Sequence, residues 1–391
     1  MASSFHGAHL DWSTQFNSHQ TTHPHKVDVM TNQPKGPGST NNPEEKKMST
    51  LPDFSFSTTA DEVAAALAEE IKGKNVLITG TSIGGIGFET ARVLAKYARL
   101  VIITGHNAER LQLSENAIKK ETPTANMRTV LLDLASLESI RTAAAELSDL
   151  DELHVLIHNA AAPIGPFKLT PDSLESQAAT DHIGPFLLTS LLSQKLLSST
   201  STSTSTNSAS ASNNFTPRVV WVSSSAHATI PAFDLNQVLH LGMGKAGEAE
   251  ERHGYDAMKV YANVKAANVL MAVEVGRRAG GRVRGYSLCP GLIYTNMHQK
   301  EESLSTLQAA GFLGADGKPS TEKFDFWKTV PQGASTTIVA AFDPRLNDHP
   351  GAFLSNGTVA NNLRAAHSAD PVNAERLWAQ TEEILGEKFV F

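Results

Sequence analysis

The segment Asn75–Gly87 constrains the fold more than any other part of the chain. A short apolar run, Val76-Leu77-Ile78, ends in Thr79-Gly80-Thr81-Ser82-Ile83-Gly84-Gly85-Ile86-Gly87 and passes directly into a helical period reaching about Tyr97. A continuous apolar run without alternation belongs to a strand covered on both faces. The same unit then recurs. Strands are predicted at 100–104, 128–132, 154–158, 218–223, 283–288 and 352–354. Helices are predicted at 108–121, 137–147, 174–197, 255–279, 333–342 and 373–385. Apolar strands alternating with amphipathic helices predict an α/β fold: one doubly wound domain over 60–391, with a parallel seven-stranded sheet and helices on both faces.

The flanks have a different character. Residues 1–59 read as a disordered polar tail, followed by a short Ala-rich helix from Asp61 to Ile71. The tail histidines His6, His9, His19, His23 and His25 could bind a metal in principle, but a solvated tail with chance histidines is the favoured reading and no metal site is expected. The Ser/Thr run at 198–214 reads as a flexible surface insertion. Net charge is −7, so nucleic acid is not an expected partner. One cysteine, Cys289, cannot form an internal disulfide and suits a reducing compartment. Neither an apolar span nor a signal-type leader is found, so a cytoplasmic protein without an integral membrane anchor is expected.

The glycine-rich turn has a specific chemical use. Gly80, Gly85 and Gly87, with Ser82, Ile83 and Ile86, let the backbone approach a pyrophosphate at a helix N-terminus. At the end of the second strand an acid would accept a ribose 2′-hydroxyl and repel a 2′-phosphate. Here the residues are Thr104-Gly105-His106-Asn107, with Arg110 one helical turn on. NADP(H) is therefore favoured over NAD(H), with His106 as an ordinary surface histidine the competing reading. A phenol beside an ammonium loses its proton more easily, and Tyr-x3-Lys brings the two together on one helix face. The spacing occurs twice, at Tyr255/Lys259 and Tyr261/Lys265, and spacing does not choose between them.

Taken in order, these motifs resemble the short-chain dehydrogenase/reductase family, in its retinol-dehydrogenase-like and WW-domain-oxidoreductase-like branch. The turn from Gly80 resembles T-G-x3-G-x-G, with its last glycines one residue late. Lys265-Ala266-Ala267-Asn268-Val269-Leu270 resembles the run after the catalytic lysine, which selects Tyr261 and Lys265. The resemblance implies further roles. Asp133-Leu134 would contact adenine, and Asn159-Ala160 would line the cofactor turn. Ser224, or Ser225 one register on, would bind the substrate oxygen. Pro290, Ile293 and Thr295 would pack beside the nicotinamide. In Asp181-His182-Ile183-Gly184 an aspartate stands where the family has its fourth catalytic residue, an asparagine. Such a charge favours protonated Lys265 and opposes the Tyr261 phenolate.

The segment 296–328 carries Leu304, Leu307, Phe312, Leu313, Phe324, Phe326 and Trp327, read as an apolar lid or as ordinary packing. The expected function is an NADP(H)-dependent oxidoreductase acting on a small lipophilic ketone, aldehyde or alcohol, in a context such as secondary metabolism, and a homo-oligomer is compatible with it. Two competing readings are a nicotinamide-binding sensor with little turnover and an epimerase or dehydratase using the same pair.

Overall fold

The computed structural model describes residues 51–200, 215–239, 254–322 and 324–391. The first 50 residues, with the tail histidines, and 201–214 of the Ser/Thr run lie outside the described residues.

Ten strands form among the described residues: β1 Asn75–Ile78, β2 Leu100–Gly105, β3 Met127–Leu131, β4 Val155–His158, β5 Arg218–Val222, β6 Arg284–Cys289, β7 Leu292–Ile293, β8 Trp327–Lys328, β9 Phe353–Ser355 and β10 Thr358–Val359. The main sheet has eight strands in the order β10-β9-β6-β5-β4-β1-β2-β3, while β7 and β8 pair separately. All pairings from β9 to β3 are parallel, as expected for seven strands. The eighth strand corrects that expectation. β10 folds back antiparallel on β9 through Asn356, which has φ of 52°, and Gly357. An Asn-Gly pair supplies the positive φ that such a tight turn requires.

The longer helices are α1 Ala60–Ala66, α2 Ile86–Leu94, α3 Ala108–Glu121, α4 Leu137–Glu146, α5 Gly184–Ser198, α6 Ala257–Arg278, α7 Glu301–Ala309, α8 Val330–Phe342 and α9 Pro371–Leu385. Several start on side-chain caps of the expected kind. Asn107 accepts from Arg110 N before α3, Ser136 from Ser139 N before α4, and Thr329 with Gln332 forms a capping box before α8. The helix expected from residue 174 starts late. Ser176–Ala178 leads into a π-turn, Ala179–Ile183, and only then into α5.

The sheet separates two cores by strand alternation. Val76 and Ile78 face a cluster with Val101, Ile103, Val155, Ile157 and residues of α1, α2 and α8. Leu77 faces the opposite cluster with Ile102, Leu156, Trp221 and residues of α4, α5, α6 and α9. The packed body begins earlier than residue 60. Phe54 is 5% exposed, and a Cβ on Gly357 would fall 2.6 Å from its Cβ. Among the described residues, no helix is long and apolar enough to cross a membrane.

Candidate active site

Parallel strands put their carboxyl ends on one edge of the sheet, where a ligand can sit between the following loops. One cleft opens there. It is lined from the ends of β1, β2, β4, β5 and β6, and by residues of α6 and the segment before α7.

Its first half is built around Gly80. This residue has φ of 72°, and a Cβ on it would fall 2.7 Å from the Ala160 Cα, so a side chain is excluded on both counts. Asn159 ties the β1 and β4 turns together. Its Nδ2 donates to the Thr79 and Gly80 carbonyls at 2.9 and 3.0 Å, while its backbone N donates to Thr79 Oγ1 at 3.0 Å. Gly87 lies beneath this knot: a Cβ there would fall 2.3 Å from Asn159 Nδ2. Gly87→Ala must displace Asn159 and is expected to cost about 1–3 kcal/mol, read as a lower midpoint in chemical unfolding. Gly105 ends β2 with open space where a Cβ would be. His106, Arg110, Asp133 and Leu134 line this end, and the turn after β2, Gly105-His106-Asn107, carries no acid of its own.

The second half holds Tyr261 and Lys265. Both lie inside α6, whereas Tyr255 precedes the Asp256 that caps the helix by accepting from Met258 N and Lys259 N. The Tyr255 hydroxyl donates instead to Glu175 Oε1 at 2.9 Å and accepts from Gln177 Nε2 at 3.0 Å. Tyr261 and Lys265 line the cleft and Tyr255 and Lys259 do not. The Lys265 ammonium sits 5.4 Å from the Tyr261 ring centre. It donates to Asp181 Oδ2 at 2.9 Å, with side chains 4% and 2% exposed respectively. Asp181 Oδ1 accepts from Ala162 N at 2.7 Å, and the π-turn carries this carboxylate beneath the lysine. Burial pushes the Tyr261 phenol above its ordinary pKa; Lys265 and Ser224 pull it down, and Asp181 pushes it further up. The Lys265 ammonium is held above its ordinary pKa: burial opposes this, and Asp181 and Tyr261 outweigh it.

The serine run resolves by geometry. Ser223 Oγ donates to the Lys265 carbonyl at 2.7 Å. Ser224 lines the cleft with its Oγ accepting from Ala226 N at 3.1 Å, while Ser225 is buried away from it. Pro290, Ile293 and Thr295 line the same half, and Leu307 and Phe312 close it as part of an apolar cluster with Leu313 and Phe324.

Of the residues expected from sequence, Gly80, Ser82, Gly85, Ile86, His106, Arg110, Asp133, Leu134, Asn159, Ala160, Ser224, Tyr261, Lys265, Pro290, Ile293 and Thr295 meet in this cleft. Four do not line it. Ile83 is 49% exposed and contributes its carbonyl to Asn296; Asn107 caps α3; Gly87 and Asp181 lie behind the wall. Sequence reading missed Thr180, Met258, Asn296, His298 and Lys300 as lining residues. Three of these are polar residues within a segment read only for its apolar content. His298 is pushed down to about 4 by burial, and its Nδ1 accepts from Thr295 N at 3.3 Å.

A strand-turn-helix cradle at one end of a cleft, and at the other a Tyr-Lys pair with Tyr261 partly open to the cleft and Lys265 buried, define a dinucleotide-type α/β enzyme site. The family model for short chain dehydrogenase matches residues 74–230. "Short-chain dehydrogenase TIC 32 A, chloroplastic" from Brassica napus is 31% identical over 330 residues, 83% of this chain and 92% of that protein. Prx1, a short-chain dehydrogenase/reductase from Penicillium rubens, is 33% identical over 81% of this chain and 86% of its own length. The human WW domain-containing oxidoreductase is 30% identical over 88% of this chain and 75% of its own. Among solved structures, an uncharacterised protein from Mycobacterium Paratuberculosis superposes with TM-score 0.57 at 25% identity, covering 83% of this chain and 98% of that one. A short chain dehydrogenase from Escherichia coli CFT073, complexed with NADPH, gives TM-score 0.51 at 20% identity, covering 74% of this chain and 98% of its own.

The chain belongs to the short-chain dehydrogenase/reductase family, in the branch that includes WW domain-containing oxidoreductase. It is accordingly an oxidoreductase acting on CH–OH groups with a nicotinamide cofactor.

Proposed function

We propose that this chain is an NADP(H)-dependent oxidoreductase that interconverts a small lipophilic ketone or aldehyde and its alcohol. One observation carries the reading: Tyr261, Lys265 and Ser224 open onto the same cleft as the glycine cradle. The residues present fit the cofactor. The turn at Gly80 packs directly on Ala160, Gly105 leaves open space where a Cβ would stand, and the cleft beyond β2 carries His106 and Arg110 with no acid in Gly105-His106-Asn107. When bound, the nicotinamide supplies or accepts the hydride.

The chain's own residues handle the proton. Ser224 donates a hydrogen bond to the substrate oxygen and holds it beside Tyr261. In reduction the Tyr261 hydroxyl protonates that oxygen as negative charge develops on it, and Lys265 stabilises the resulting phenolate. Asp181 fixes the lysine beneath the tyrosine. Leu307, Phe312 and Met258 present apolar surface to the substrate side and exclude water.

Cofactor choice is tested by His106→Asp. Wild type is expected to bind NADPH roughly tenfold or more tightly than NADH, since a charge-assisted contact to the 2′-phosphate is worth about 1.5–3 kcal/mol. The aspartate should reverse the order, read as dissociation constants from quenching of protein fluorescence. Equal affinities in both proteins would remove His106 from the choice. A cytoplasmic location, a homo-oligomer and a place in secondary metabolism belong to the same proposal. Fractionation and sedimentation of the native protein test the first two.

A further inference from the structure

The segment between Thr295 and α7 crosses the mouth of the cleft and is fastened at both ends. At one end Asn296 Nδ2 donates to the Ile83 carbonyl at 3.1 Å, on the glycine-rich turn. A Cβ on Gly84 would fall 3.9 Å from the Asn296 Cβ, so the two chains lie against each other. At the other end Ser303 Oγ accepts from Ile164 N at 3.1 Å, on the loop after β4. There a Cβ on Gly165 would fall 2.7 Å from the Glu302 carbonyl oxygen. Met297, His298 and Lys300 lie between these anchors and line the cleft.

Lys300 is the unusual member. It is half-buried, and its ammonium makes no hydrogen bond or ion pair among the described residues. Of the two acids that follow it in sequence, Glu301 and Glu302, the second pairs with Lys168 at 3.8 Å. Burial holds the ammonium below its ordinary pKa, with Glu302 and Asp181 opposing and Arg110 reinforcing. A cation that loses hydration without gaining a partner is destabilised until an anion reaches it. Lys300 feels Arg110, at the β2 edge of the cleft, and Asp181, behind the catalytic lysine. Lys300 lines the cleft from the strap, between the Asn296 anchor on the glycine-rich turn and the Ser303 anchor on the loop after β4.

We propose that Lys300 is a ligand for the pyrophosphate of the dinucleotide, held from the face opposite the glycine-rich turn. The assignment rests on the cofactor reading above and adds to it a cationic contact delivered by the strap across the cleft. A pyrophosphate is common to NADPH, NADH and ADP-ribose, so a lysine serving it does not discriminate among them. A lysine serving the 2′-phosphate would affect NADPH alone. A lysine serving an acidic substrate would affect none of the three.

Titration calorimetry on the full chain with NADPH, NADH and ADP-ribose tests this, using wild type, Lys300→Met and Lys300→Arg. Lys300→Met is expected to weaken all three roughly tenfold or more, the scale of a lost charge-assisted contact. Lys300→Arg should restore most of the loss, and the melting temperature without ligand should stay close to wild type. A loss confined to NADPH, or unchanged affinity for all three with a raised KM for substrate, overturns the assignment while the cofactor reading stands. Wild type that binds none of the three overturns both.

Discussion

Replacing Tyr261 by phenylalanine is expected to lower kcat for carbonyl reduction by about 10²–10⁴-fold, the contribution of a positioned general acid. The phenyl ring preserves the packing of α6 against the apolar cluster around Met258 and Ala262. The dissociation constant for NADPH should therefore stay within a few-fold of wild type, and the loss should fall on kcat rather than KM. Tyr255→Phe is the matched control, since the same spacing to a lysine occurs there. That hydroxyl is engaged by Glu175 and Gln177, away from the cleft. Its removal is expected to leave kcat within a few-fold and to lower stability by about 1 kcal/mol. A large loss of kcat in Tyr255→Phe with Tyr261→Phe left within a few-fold of wild type would show that the family spacing had been assigned to the wrong copy.

Substitution of Asp181 should have the next largest effect, and in two separable ways. The carboxylate and Lys265 form a buried ion pair at 2.9 Å. Asp181→Ala leaves a desolvated ammonium and the Ala162 N–H without their acceptors, and a loss of about 3–5 kcal/mol of stability is expected from breaking such a pair. Asp181→Asn keeps the shape and removes the charge. The sign of its effect follows from the site's electrostatics. Asp181 raises the Tyr261 pKa, so the neutral amide lowers it. The protonated phenol that drives reduction is complete below that pKa and lost above it; the phenolate that drives alcohol oxidation appears above it. Both the alkaline limb of reduction and the acid limb of oxidation should therefore move to lower pH. Steady-state kcat against pH in both directions reads this directly. An unchanged profile would make Asp181 a structural partner of Lys265 with no part in setting proton affinity.

The same ion pair is the observation that favours a second reading, a nicotinamide-binding protein with little turnover. A lysine held firmly by a carboxylate stabilises the phenolate less, because part of its charge is already compensated. The pH profiles separate the readings. Turnover that rises strongly in Asp181→Asn marks a damped enzyme, and turnover that is absent in both proteins marks a binding module.

Much of this was legible in the sequence because the constraints are local. A strand buried on both faces must be apolar throughout, so β1, β2, β4 and β5 are visible in a few residues each. The glycines at 80 and 87 are required by close contacts with the neighbouring turn, Gly80 against Ala160 and Gly87 against Asn159. The Tyr-x3-Lys ambiguity needed more than spacing: Asp256 caps α6 between Tyr255 and Lys259, so only the second copy has both residues on the helix. What stayed hidden depends on distant partners. The π-turn that carries Asp181 beneath Lys265 has no period of its own. α7 is amphipathic only relative to a wall made by Ile164 and Gly165, residues far away in sequence. Lys300 carries no signal in the sequence, and only the fold of the strap places it at the cleft. β10 was missed although Asn356-Gly357 is a strong hairpin signal, because only Thr358–Val359 remained to pair.

The most direct test of the central claim is transfer of label. Wild-type protein is incubated with NADPH deuterated at the nicotinamide C4 and a panel of lipophilic ketones and aldehydes, and the alcohols are analysed by mass spectrometry. Deuterium at the new carbinol carbon, absent with Tyr261→Phe, is the predicted result. Tight NADPH binding with no labelled alcohol from any member of the panel would contradict the account.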